Sequence, residues 1–244
     1  MKKYAIILAA GNGTRMNISI PKGAIDFFGK TIIERIVEQC EKNNFDEIIV
    51  VVGYQKEIIM NILGDRVTYV IQEKQIGTAN AVMSCYDYFR DKEGICVILP
   101  SDIPLIDDRT LYKFMKVHYM TNSSLTILST FVKEENQYGR IYRKEGFLKR
   151  IIEYKDATIE ERKIEEVNSG IYCVDTKLLF KELSNITNIN KTNEFYITDL
   201  LEIFEKKYKV NCYLLMDNTI LMGVNSQEEL QNAKNIFKEK SNNE

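Results

Sequence analysis

Residues 4–23 read YAIILAAGNGTRMNISIPKG, an apolar run that breaks into glycines, a threonine, an arginine and then a proline-lysine pair. YAIIL has the length and branching of a buried strand, and a glycine-rich turn after a first strand is the usual place for phosphate in α/β folds. A dinucleotide fingerprint requires a third glycine where Met16 stands and an acid after the second strand, which here ends in VVVGYQK. A P-loop requires its lysine directly after the second glycine of the motif, but Lys22 arrives far downstream and behind Pro21. What remains is a loop in which Gly11 and Gly13 leave the backbone N–H groups open to phosphate. Thr14 lies beside them, and Arg15 and Lys22 supply two fixed positive charges.

The alternation continues outward from that loop. A helical stripe of Ile32, Ile33, Ile36, Val37 and Cys40 runs from Thr31 to Lys42. Runs at 47–53, 67–71 and 95–99 read as strands, with helices at 56–63 and 78–89 between them. This rhythm predicts a mostly parallel sheet covered on both faces. After residue 120 the pattern changes to strand-like runs at 124–132, 139–143, 148–154 and 169–175, joined by short polar turns and read as an antiparallel addition. Helices are expected again at 176–183, 195–208 and 226–240, with a strand at 210–216, and Ser226 with Glu229 matches a capping box. The fold class is thus α/β, a Rossmann-like mixed, mostly parallel sheet flanked by helices with a small antiparallel addition. One domain is expected over residues 1–238, with a frayed tail at 239–244.

Composition excludes several alternatives. A net charge of −2 over 244 residues offers no basic field for nucleic acid or anionic lipid. The apolar run at 4–10 is too short for a membrane span and has no cleavage site after it, so a cytoplasmic protein with neither nucleic-acid nor membrane partner is expected. Five cysteines without a C-x-x-C pair read as reduced fillers. The single histidine, His118, lies on a helical pattern and is read as structural or solvent-facing, which leaves no triad or multi-histidine zinc site.

LAAGNGTRM followed by PK resembles the signature of the sugar-1-phosphate nucleotidyltransferases. QEKQIGTANAV (72–82), LPSDIPLI (99–106), YGRIYR (138–143), IIEYKDATIEERKIEEVNSGIY (151–172), NEFYITDLL (193–201) and GVNSQEELQNA (223–233) follow in the order found in the bacterial N-acetylglucosamine-1-phosphate uridylyltransferases. The resemblance spans about residues 4–233. It implies UTP and N-acetylglucosamine 1-phosphate as substrates and Mg²⁺ as cofactor, with Asp102 and Asn225 as metal ligands. One carboxylate, one amide oxygen and substrate phosphates suit the sparse oxygen shell of that ion.

By the same resemblance Gln72, Gly77 and Thr78 bind the uridine part, completed by backbone of Leu8, Ala9 and Ala10. Glu153, Asn168 and Gly139 hold the amino sugar, and Ser101, beside the metal ligand, is counted with the substrate-binding positions. Arg15 and Lys22 act on the phosphates together with Asp102. A sugar 1-phosphate is already an anion, so its attack on the α-phosphorus requires alignment and charge stabilisation and no general base.

Two departures from the family pattern stand out. Gly23 replaces a bulky aliphatic residue after the lysine, and PSD replaces tyrosine-glycine-aspartate before the metal ligand. The sequence also ends before the left-handed β-helix that carries acetyl transfer in bifunctional members, so neither that activity nor the trimer it builds is expected. A related transferase using another sugar phosphate or base for surface-polysaccharide precursors, or a catalytically silent nucleotide-sugar binding protein, fits the same motifs. Oligomeric state is not legible.

Overall fold

The computed structural model describes residues 1–11, 20–134 and 136–242. Among these, nine strands form one sheet. The first limb alternates strand and helix: β1 (Lys3–Ala9), α1 (Ile32–Lys42), β2 (Glu47–Val52), α2 (Lys56–Leu63), β3 (Thr68–Ile71), α3 (Thr78–Met83), α4 (Tyr86–Phe89) and β4 (Ile95–Pro100). The second limb comprises α5 (Asp108–Thr121), β5 (Leu125–Phe131), β6 (Arg140–Lys144), β7 (Phe147–Ile152), β8 (Glu166–Asp175), α6 (Thr176–Glu182), α7 (Leu200–Glu205), β9 (Val210–Leu215) and α8 (Gln227–Asn242).

Spatial order is β3-β2-β1-β4-β8-β5-β9. Strands β1 to β4 are mutually parallel, and β5 pairs in parallel with β9. Only β8 and the β6–β7 hairpin bring antiparallel pairing, with β8 inserted between β4 and β5. The expected small antiparallel addition is present, and β9 adds a parallel pairing beside it. Helix α5 carries the chain between β4 and β5, which run the same way.

Alternation along the strands separates two cores. Ala5, Ile7, Val50, Val52, Val97 and Leu99 face one side and pack with α1, α2, α5 and α8. Tyr4, Ile6, Ile49, Val51, Cys96 and Ile98 face the other and pack with α3, α4, α6, α7 and the hairpin. Each fully buried branched side chain contributes on the order of 1.5–3 kcal/mol by leaving water.

Several elements depart from their sequence expectations for local reasons. Helix α1 begins as expected, with Thr31 and Glu34 forming a reciprocal capping box. The helix expected over 78–89 is broken at Ser84 and Cys85 into α3 and α4. The one expected over 195–208 is a 3-10 turn at Ile197–Asp199 followed by the short α7, because Phe195 bonds to the backbone of Ile76 and Ala79 and the Ile197 N–H donates to the Thr78 hydroxyl at the start of α3. At α8 Ser226 Oγ accepts the Glu229 N–H, but the Glu229 carboxylate takes the Asn225 N–H rather than that of Ser226. The same helix continues to Asn242, past the point where fraying is expected.

The five cysteines are free, four of them buried, and burial pushes the Cys85 and Cys212 thiols up to about 12. His118 is buried in α5 with Nδ1 2.9 Å from the Thr126 hydroxyl. Desolvation lowers its pKa to about 4. It is a core residue. Among the described residues no helix is long and apolar enough to cross a membrane.

Candidate active site

Strands β1, β3 and β4 all end at one edge of the sheet, and the chain leaving each of them lines a cleft of about 590 Å³. Ligands in open parallel sheets bind at this carboxyl edge. Leu8, Ala9, Ala10 and Gly11 come from the end of β1, Gln72, Gly77 and Thr78 from the turn after β3, and Ser101 and Asp102 from the turn after β4. Lys22, Glu153 and Asn225 complete the set. Gly13, Thr14 and Arg15 lie outside the described residues.

Lys22 follows Pro21 into a short 3-10 turn, which carries its side chain inward. The ammonium donates to Asp102 Oδ2 at 3.0 Å and also to Asn225 Oδ1. Both side chains of the Lys22–Asp102 ion pair keep about a fifth of their surface exposed, 19% and 21%, so the pair is sheltered yet reachable. Two oxygens from distant loops thus converge on one positive point. Backbone holds them there: the Val224 N–H donates to the Asp102 carbonyl at 2.8 Å. The Gly223 N–H donates to the half-buried Tyr138 hydroxyl, and the Glu229 carboxylate accepts the Asn225 N–H at 2.5 Å. A carboxylate and an amide oxygen sharing one cation are hard donors that fit a divalent ion of the magnesium type. Among the described residues no group of three or more His, Cys, Asp or Glu side chains competes as a metal site.

At the other end of the cleft the polar groups are largely committed to one another. The Gln72 amide nitrogen donates to Asn80 Oδ1 at 2.8 Å and to the Gly77 carbonyl at 3.3 Å. Its carbonyl oxygen is therefore the half of the amide left for a ligand, where the sequence allowed both halves. Thr78 lines the cleft, but its hydroxyl accepts the Ile197 N–H at 3.0 Å. Two further backbone bonds, Phe195 N–H to the Ile76 carbonyl and Ala79 N–H to the Phe195 carbonyl, zip the two segments together. Gly77 is required there. Its φ of 124° is open to few other residues, and an added Cβ would lie 2.3 Å from the Phe195 carbonyl oxygen.

Glu153 accepts the Thr198 hydroxyl at 2.9 Å. Burial raises its pKa, the Thr198 hydrogen bond opposes the rise, and the charges of Asp199, Asp156 and Glu194 add to it. Asp199, one residue past Thr198, is pushed up to about 6 by burial, with Glu202 and Asp156 assisting.

Gly139 and Asn168 are not on the cleft wall. They bond to each other through backbone, Asn168 N–H to the Gly139 carbonyl at 2.9 Å. The Asn168 amide nitrogen donates to the Tyr172 hydroxyl, and Oδ1 is buried with no partner among the described residues. An added Cβ at Gly139 would press on the Ile151 side chain at 2.8 Å. The wall holds instead Gln75, Gln137, Tyr154, Lys155, Glu194 and Tyr196, which sequence reasoning did not single out. Their signal was present, since most lie inside or next to motifs already quoted, but side-chain direction within a motif is set by tertiary contacts.

A crevice at the carboxyl edge of a doubly covered sheet, with an ammonium, a carboxylate and an amide converging in it, defines a nucleotide-handling α/β protein. Comparison with known proteins narrows the class. The chain belongs to the nucleotidyl transferase family, whose model matches residues 4–220. It is 41% identical over 240 residues to the bifunctional protein GlmU of Acholeplasma laidlawii, covering 98% of this chain and 52% of that protein. It is 39% identical over 243 residues to the bifunctional protein GlmU of Limosilactobacillus reuteri, covering 99% and 53%. The chain thus spans about half the length of these curated relatives.

Among solved structures, a UDP-glucose pyrophosphorylase in complex with UDP-glucose superposes with a TM-score of 0.77 at 21% identity, covering 98% of this chain and all of that one. A putative glucose-1-phosphate thymidylyltransferase from Bacillus anthracis gives 0.76 at 21% identity, with 96% and 94% covered. These two show the fold.

Proposed function

We propose that the chain transfers a uridylyl group from UTP to N-acetylglucosamine 1-phosphate, giving UDP-N-acetylglucosamine and pyrophosphate. The observation that carries this reading is the convergence of Asp102 and Asn225 on the Lys22 ammonium, in a cleft reached also by Gln72 and Glu153. The family membership and the order of the quoted motifs support it.

In the proposed reaction an oxygen of the sugar phosphate forms a bond to the α-phosphorus, and the bond from that phosphorus to the β-phosphate oxygen breaks. Pyrophosphate leaves with the electron pair. The attacking oxygen is already anionic, so no side chain has to remove a proton. Lys22 supplies fixed positive charge where negative charge gathers on the phosphoryl oxygens. The Gln72 carbonyl oxygen accepts from a base N–H, which a uracil offers at N3. Glu153, oriented by Thr198, accepts from a sugar hydroxyl, while the Gly11 backbone approaches the phosphates. Asp102 and Asn225 would hold Mg²⁺, which when bound supplies Lewis-acid stabilisation of the reacting phosphoryl group.

The test is a matrix of UTP, CTP, dTTP and ATP against N-acetylglucosamine 1-phosphate and glucose 1-phosphate, read as pyrophosphate release with magnesium and with chelator. Fastest release is expected for UTP with N-acetylglucosamine 1-phosphate, and none with chelator. A faster pair elsewhere in the matrix replaces the substrates, and no release in any cell removes the enzymatic reading.

A further inference from the structure

Gly23 and Ser101, one from each departure noted in the sequence, meet in the structure. Gly23 is buried beside Lys22, and its φ lies outside the left-handed region. Its missing side chain therefore serves space rather than backbone conformation. A Cβ added there would sit 3.2 Å from the Ile33 Cβ and 3.5 Å from both the Cβ and the carbonyl oxygen of Ser101. Ile33 is fully buried in α1, so a side chain at position 23 would fill the space between Ile33 and Ser101 and crowd both. Ser101 in turn lines the cleft directly before Asp102, and among the described residues its hydroxyl makes no hydrogen bond. Immediately beside this contact Lys22 and Asp102 form their ion pair.

We propose that Gly23 and Ser101 form a space-matched pair: the empty position at 23 gives the Ser101 side chain its place on the wall, and its hydroxyl donates to a phosphate oxygen of the bound nucleotide next to Lys22. The chemistry suits the place. A hydroxyl donating to an anionic oxygen makes a short, charge-assisted hydrogen bond and needs no proton transfer. Ser101 is thus a positioning contact of this chain's own, and Gly23 acts through it. The inference rests on the nucleotide-binding part of the proposed function and on no particular base or sugar.

The experiment is calorimetric titration of the full chain with UDP, CDP, dTDP, GDP and ADP in magnesium, followed by the variants on whichever binds tightest. Ser101→Ala is expected to weaken that binding about tenfold and to raise the nucleotide KM with little change in kcat, at an unchanged melting temperature. Ser101→Thr keeps the hydroxyl and should stay within about threefold of the parent. Gly23→Val should weaken binding like Ser101→Ala but lose most of its effect when placed on Ser101→Gly, a coupling read from the double-mutant cycle. Gly23→Ala serves as the milder member of that cycle if the valine variant does not fold. Unchanged affinity in Ser101→Ala, or a double variant whose loss equals the product of the single losses, overturns the pair while leaving the proposed function standing. A parent protein that binds none of the five diphosphates sinks both.

Discussion

The two ends of the cleft achieve polar order by opposite means. At the Asp102 end, full charges from separate loops are held against one another: an ammonium bridges a carboxylate and an amide, and backbone bonds from Val224 and Asn225 fix the frame. At the Glu153 end, hydrogen bonds between neutral groups dominate. The carboxylates there are crowded with like charges and, among the described residues, make no ion pair, and burial raises the pKa of both Glu153 and Asp199. The first arrangement suits a site where charge develops during reaction, and the second suits recognition of uncharged hydroxyl and amide groups.

The sharpest break of this contrast is Asp102→Ala, which removes the carboxylate of the charged end. Turnover should fall by about a thousandfold or more, equal to about 4 kcal/mol of transition-state stabilisation, with an intact fold by circular dichroism. Near-normal kcat in folded Asp102→Ala protein would remove this carboxylate from the metal site.

Glu153→Ala strikes the other end. The KM for the sugar phosphate should rise by about ten- to a hundredfold while nucleotide affinity is kept, because a lost hydrogen bond to a charged acceptor accounts for about 1.5–3 kcal/mol. Equal losses for both substrates would mean that the ends are not separable. Thr78→Val, which leaves the Ile197 N–H without its acceptor, should do what neither end-specific change does. It should weaken both substrates together by about three- to tenfold, as measured by steady-state kinetics with each substrate varied in turn.

The smallest effect concerns stability. The folded-state pKa of Asp199 is raised to about 6 from the ordinary 3.8, so the folded chain binds the proton more tightly than the unfolded one. Below pH 3.8 both states are protonated and the group has no effect; between 3.8 and about 6 the unfolded state ionises while the folded state keeps its proton, so stability falls and the full penalty stands above 6. Asp199→Asn should therefore stabilise the protein at pH 7 by roughly 1 kcal/mol, after discounting for its partial exposure to solvent, and the gain should vanish near pH 4. Denaturant midpoints of parent and variant across that range check it. A gain independent of pH would assign the effect to something other than this ionisation.

The first limb of the fold was legible because its signals are local. YAIIL and the apolar stripe of α1 each state their element within a few residues, and parallel pairing follows from the alternation. The second limb was legible as strands but not as an arrangement, since the insertion of β8 between β4 and β5 is a long-range choice that no window displays.

At the site, residues directly after strands, such as Gln72, Ser101 and Asp102, could be placed from topology. Lys155, Glu194 and Tyr196 could not, because a motif names a stretch of chain and not the direction of each side chain. For the same reason Gly139 and Asn168, quoted in strong motifs, stand behind the wall rather than on it.

The zipper between residues 76–79 and 195–197 has a consequence for redesign. The segment proposed to face the base and the cleft segment that carries Glu194 and Tyr196 share three hydrogen bonds and a glycine packed against the opposing carbonyl. Neither can be exchanged for a homologous loop without disturbing the other's register. Grafts that alter nucleotide choice should therefore move 72–82 and 193–201 together, as one cassette made of two distant pieces of chain.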